Sequence, residues 1–140
     1  MPDMNYTKLE ADLRHDEGVR DKPYTDTVGK LSIGVGRNLD DVGLRVDEIR
    51  LMLKNDIAAA ETDLDRNVPW WRYMPEPAQR ALCNMSFNLG WPRLSGFRNM
   101  LAALKSHDFQ RAADEALDSK WARQVGDRSA RIAALYRSAS

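Results

Sequence analysis

Residues 15–36, HDEGVRDKPYTDTVGKLSIGVG, change the character of the chain within a few positions. Upstream, Tyr6, Leu9 and Leu13 recur at helical spacing, and Gly18 supplies a stop. Glu17 therefore falls at a helix end. Downstream, YTDTVGKLSIGVG alternates apolar and small polar residues around Val28-Gly29, which predicts a short antiparallel hairpin. Asp26 belongs to this β-region. Carboxylates are common on surfaces, so spacing alone fits a polar helix end beside a solvated turn. It also fits an acid and a base held across a cleft.

Beyond the hairpin, RNLDDVGLRV continues as a loop or small sheet extension. DEIRLMLKNDIAAAETDLDRN then gives the strongest helical pattern in the chain. Ile49, Met52 or Leu53, Ile57, Ala60 and Leu64 return to one side, charges fill much of the other, and Asp47 is placed as N-cap. VPWWRYMPEPAQ breaks this run. AQRALCNMSFNLG follows as a buried helix between Pro77 and Gly90. LSGFRNMLAALKSH, DFQRAADEALDS and DRSARIAALYRSA supply further helices, with Asp108 and Asp127 as expected N-caps. The predicted class is α+β and predominantly helical. A β-containing lobe at about 15–46 and a linking helix at about 47–66 precede a helical lobe at about 67–140, against which residues 1–14 pack.

The chain has 140 residues and is 43% hydrophobic, enough to bury a core without metal or disulfide staples. The single Cys83 has no internal partner and is expected to be an inert core thiol in a reducing cytosol. The only histidines are His15 and His107, and no metal-ligand cluster is visible. Twenty-one basic residues balance 21 acidic ones, which argues against generic nucleic-acid binding. The balance is uneven: residues 93–140 carry 9 basic and 5 acidic groups. No signal peptide or transmembrane run stands out, so the expected location is cytoplasmic, with separate release needed to reach any substrate outside.

Several stretches occur in order across almost the whole chain: Glu17-Gly18, Tyr24, Asp26, Gly29, Ser32-Ile33-Gly34-Val35-Gly36, ALCNMSFNLG, SGFRNML and SKWARQVGDRSARI. Together they resemble the T4-type phage lysozymes, glycoside hydrolase family 24, used as endolysins against bacterial peptidoglycan. The resemblance implies a lysozyme-like fold and a muramidase cleaving the β-1,4 bond between N-acetylmuramic acid and N-acetylglucosamine. It implies inversion, with Glu17 as general acid, Asp26 as the carboxylate that activates water, and Ser32 positioning that water. Arg128 matches an arginine that faces the catalytic Glu and supports it. Asn84, Phe87, Asn88, Phe97 and Asn99 match substrate-binding positions, although Phe87 fits core packing equally well, and Trp121 is expected to pack. No metal or organic cofactor is implied. The expected partners are peptidoglycan and a holin or other membrane-permeabilising protein, for a monomer that reaches the periplasm or wall after permeabilisation.

The match has departures. Ser32 stands where Thr is usual, losing the methyl that restrains the hydroxyl rotamer. Arg37 replaces a common His, so a pH-sensitive ion pair there does not transfer. The segment after Gly43 is short, and the near-neutral charge weakens bulk attraction to an anionic wall. Three other functions are weighed: a non-catalytic peptidoglycan-binding protein on the same scaffold, a lytic transglycosylase, and a structural virion lysozyme. The combination of Glu17, Asp26, Ser32 and Arg128 argues against the first, because binding alone does not require it.

Overall fold

The computed structural model describes all 140 residues, Met1–Ser140. They form two compact units, Met1–Arg50 and Leu51–Ser140. The first holds α1 (Tyr6–Glu17), β1 (Arg20–Thr25), β2 (Leu31–Gly34), β3 (Arg37–Asn38) and the start of α2 (Val46–Asn67). The second holds the rest of α2, a 3-10 turn at Trp71–Tyr73, and six helices. These are α3 (Glu76–Leu89), α4 (Trp91–Leu94), α5 (Arg98–Lys105), α6 (Phe109–Leu117), α7 (Lys120–Val125) and α8 (Asp127–Ser138). The α+β class is thereby shown.

In the first unit, Asn5 caps α1 by accepting from the Lys8 N–H at 3.0 Å. Gly18, at φ 77°, ends the helix and donates its N–H to the Arg14 carbonyl. The predicted hairpin is present: β1 pairs antiparallel with β2, with Tyr24 opposite Ser32 and Thr25 opposite Leu31. β3 extends the sheet in the order β1-β2-β3. The register of β1 shifts between Arg20 and Tyr24, where Pro23 has no N–H for the ladder; an edge strand tolerates that loss.

The start of α2 differs from expectation. Asp47 is not the N-cap but lies inside the first turn with Glu48. Glu48 instead reaches back to accept the Arg45 N–H at 2.8 Å, the acidic half of a capping box. The same Glu48 oxygen accepts from Arg37 at 2.7 Å, while that guanidinium also donates to the Gly43 carbonyl. One carboxylate thus ties β3, the short loop and the helix start. The Arg37 side-chain hydrogen bond, helped by the Arg45 N–H, holds the Glu48 carboxyl down at about 2.

The second unit is built around a single apolar cluster. α3 contributes Ala81, Leu82 and Met85, and α8 contributes Ile132, Ala133 and Tyr136. Ala112, Ala113 and Ala116 put small side chains on the inner face of α6, so its backbone approaches α5 and α8 closely. Tyr136 is fully buried and donates its hydroxyl to Met85 Sδ at 3.3 Å, and burial pushes its phenol pKa up. From α2, only Ala60 and Leu64 are buried; Ile49, Met52, Leu53 and Ile57 remain exposed. Asp108 caps α6 as expected, accepting from the Arg111 N–H. Asp127 does not cap α8: it is the first helical residue, and Gly126 occupies the cap position. Trp71 is buried and its ring nitrogen donates to Asp65, whereas Tyr73 is exposed.

Two outcomes follow from these arrangements. Leu82→Ala removes a side chain with no exposed surface and is expected to cost about 2–5 kcal/mol in urea unfolding. Leu51→Ala, at an exposed position, is expected to stay within about 0.5 kcal/mol of the parent. The second outcome concerns Glu48. Its carboxyl is depressed by folding, so its ionisation favours the native state above the ordinary value of 4.5 and stops doing so as pH falls through about 2. Amide exchange at β3 and the start of α2 should therefore be faster in Glu48→Gln than in the parent near pH 6. The difference should close as pH approaches 2.

Candidate active site

Glu17 and Asp26 are fixed by two different kinds of local structure. Glu17 is the last residue of α1, and its side chain projects from a helix end that Gly18 terminates. The turn between β2 and β3 lies beside it: a Cβ added to Gly36 would stand 2.7 Å from Glu17 Oε2. Asp26 follows β1 and organises the hairpin turn. Its Oδ1 accepts from the Val28 N–H at 3.0 Å and from the Lys30 N–H at 2.8 Å. Its own N–H donates to the Lys30 carbonyl, and its carbonyl accepts from Gly29, which adopts φ 85°. This is ordinary Asx-turn chemistry with a chemical consequence. Both bonds fall on Oδ1, and none is made by Oδ2.

Ser32 sits on the central strand, opposite Tyr24 on one side and Asn38 on the other. It is the one buried residue among the first fifty. Glu17, Asp26 and Ser32 therefore share one unit and stand at a helix end, a hairpin turn and a strand centre.

The remaining candidates fall in the helical unit, in two groups. Asn84, Phe87 and Arg128 line a cavity of about 340 Å³ together with Leu53, Ile57, Arg80 and Cys83. Arg128 Nε donates to Asn84 Oδ1 at 3.0 Å, so a residue of α8 is held by one of α3. Phe87 is 44% exposed and belongs to this wall rather than to the core. Cys83 is half-buried rather than a core residue, and burial pushes its thiol up, which disfavours the reactive thiolate.

A second cavity, of about 700 Å³, is lined by Phe97, Asn99 and Trp121, with Arg93, Arg98, Lys120, Gln124, Glu115 and Asp118 among its polar groups. Trp121 is buried as expected and meets Phe97 edge-on, with ring centroids 6.0 Å apart and planes at 82°. Its ring nitrogen donates to Asn88 Oδ1 at 2.7 Å. Asn88 thus spends its carbonyl on an internal bond and orients the aromatic wall. The sequence did not single out Glu115, Asp118 or Lys120, whose separate positions on α6, the following cap and α7 carry no common motif. No group of three or more His, Cys, Asp and Glu side chains is arranged to hold a metal ion. No helix is long and apolar enough to cross a membrane.

Comparison with known proteins bears on this arrangement directly. The chain is 26% identical over 159 residues to the pre-baseplate central spike protein Gp5 of Enterobacteria phage T4, with 94% of this chain and 27% of the spike protein covered. It is 23% identical over 159 residues to the probable T4-type lysozyme 2 of Dictyostelium discoideum, with 93% of this chain and 94% of that protein covered. The chain therefore spans about a quarter of the length of the spike protein and matches the second relative nearly end to end. Residues 14–138 match the phage lysozyme family, a stretch that includes both carboxylates, Ser32 and both cavities. The chain belongs to the phage lysozyme family.

Proposed function

We propose that this chain is a muramidase that hydrolyses the β-1,4 bond between N-acetylmuramic acid and N-acetylglucosamine in bacterial peptidoglycan. The observation that carries this reading is the family match over residues 14–138, which takes in one carboxylate at a helix end and one engaged in a hairpin turn. In the proposed reaction Glu17 gives its proton to the glycosidic oxygen as the bond to the anomeric carbon breaks. Asp26 takes a proton from a water that attacks that carbon from the opposite face of the sugar, so the configuration inverts. Ser32 orients the water. Ser32 is buried in the central strand, and without the threonine methyl its hydroxyl is held somewhat more loosely. Arg128 supports the acid. Asn84 and Phe87 in the smaller cavity, with Phe97 and Asn99 in the larger, contact glycan, while Asn88 acts through Trp121.

Glu17→Gln and Asp26→Asn should each lower peptidoglycan turnover by on the order of 10²–10⁴ while leaving the far-ultraviolet spectrum and unfolding midpoint close to the parent. Reducing ends captured before mutarotation should show the inverted anomer. Retained configuration would reject the water route, anhydromuramic ends would replace hydrolysis with transglycosylation, and unchanged glycan length would leave only a binding protein.

The proposed biological role is host-cell lysis by a monomeric endolysin that accumulates in the cytoplasm and reaches the wall after a separate protein opens the membrane. One observation favours a second role, carriage in the virion: a relative matched over 94% of this chain is a phage spike protein. Fractionation separates the two. An endolysin should be found in the soluble fraction of expressing cells, with wall loss only after the inner membrane is opened. A virion lysozyme should co-purify with intact particles in fixed stoichiometry.

A further inference from the structure

Gly36 lies in the turn between β2 and β3 at φ +66°, and what a side chain there would strike is the proposed acid itself. A Cβ would stand 2.7 Å from Glu17 Oε2, 3.0 Å from its Cδ and 3.2 Å from its Cγ. Every one of these atoms belongs to the Glu17 side chain. We propose that Gly36 is a positioning residue, whose bare Cα forms the seat against which the Glu17 carboxylate is set for proton delivery. This deepens the muramidase reading and rests on Glu17 being its acid.

The local geometry separates this role from an ordinary need for glycine. Gly34, two residues away, has nearly the same backbone conformation, φ +70°, yet nothing lies within 4 Å of its would-be Cβ. Alanine at either position meets the same left-handed strain. Only at 36 does it also meet another group. That group is the far end of a flexible side chain at a helix terminus, so it yields by rotating rather than by disturbing the sheet. The collision is therefore cheap for the fold. It is expensive for chemistry, because the carboxylate is turned off its seat, and displacement of a catalytic group by about 1 Å can cost on the order of 100-fold in rate.

The test compares Gly36→Ala with Gly34→Ala in the full-length protein. Both are expected to lower Tm by a similar few degrees. Gly36→Ala should in addition lose about 10- to 100-fold in kcat on soluble glycan chains, with KM within about twofold, while Gly34→Ala keeps kcat within about threefold of the parent. The carbon-13 chemical shift of the Glu17 carboxyl at one fixed pH should move in Gly36→Ala and stay at the parent position in Gly34→Ala. Equal kcat in the two alanine variants, with Glu17→Gln inactive, would overturn the seat and leave the acid assignment standing. Parental turnover in Glu17→Gln would overturn the acid assignment and, with it, the catalytic meaning of the seat. Parallel losses of kcat and Tm in both variants would also overturn it, reducing Gly36 to a turn glycine.

Discussion

A unit of fifty residues that buries one side chain, Ser32, cannot be held by apolar burial, so its shape depends on hydrogen bonds that close its turns. Asp26 is the principal one. Its carboxylate takes two backbone N–H groups that an unorganised loop would leave to water, and that fixes the hairpin from which the rest of the sheet is registered. Glu48 does the same at the other end of the unit by serving Arg45 and Arg37 together. Each bond contributes modestly beside solvent, but three of the four close loops of four residues or fewer and the Arg37–Glu48 bond spans 11, so little chain entropy opposes them. The same carboxylate that organises the turn thereby has one oxygen engaged, while the other makes no hydrogen bond.

The helical unit solves the opposite problem. Its core is dense and dominated by leucine, methionine and alanine, and alanine-rich α6 trades buried area for close helix approach. Stability concentrated there leaves its rim to carry polar work. Arg128 is held by Asn84, and Trp121 is held by Asn88, each through a bond between elements distant in sequence. An amide that orients an arginine or an indole sets the shape of a wall through that partner. Conservative-looking changes at Asn84 or Asn88 would alter the cavities through their partners.

The sequence made the fold legible where local chemistry decides it. Gly18 and Gly90 stop helices because each adopts a positive φ that a side chain resists, and Val28-Gly29 marks the hairpin for the same reason. The caps were harder. Asp47 and Asp127 have the right residue type, but in each case the helix begins one residue earlier or on the aspartate itself. For α2 the deciding signal was Glu48 three residues beyond Arg45, a pairing that propensity at a single position does not reveal. The inward face assigned to α2 reached only Ala60 and Leu64, because periodicity shows that a helix is amphipathic and not how far along its length a partner runs. Among site residues, the positions of Glu17 and Asp26 followed from turn signals. The separation of the helical-unit residues into two cavities did not, since it depends on how α3, α5, α7 and α8 cross.

This division of labour explains why glycines and short polar side chains crowd the proposed catalytic unit. A packed core fixes a side chain by surrounding it, and it also strips away the water that stabilises a charge. A proposed base must stay ionised to draw a proton from water, and it is better held by hydrogen bonds from one side only. Asp26 meets that requirement through Oδ1. The proposed acid needs a defined direction with few donors around it, and a helix terminus beside a bare backbone turn provides direction by shape alone. Two carboxylates in one small unit are thus held by different means, one by hydrogen bonds and one by steric fit. Those different means suit a base and an acid respectively.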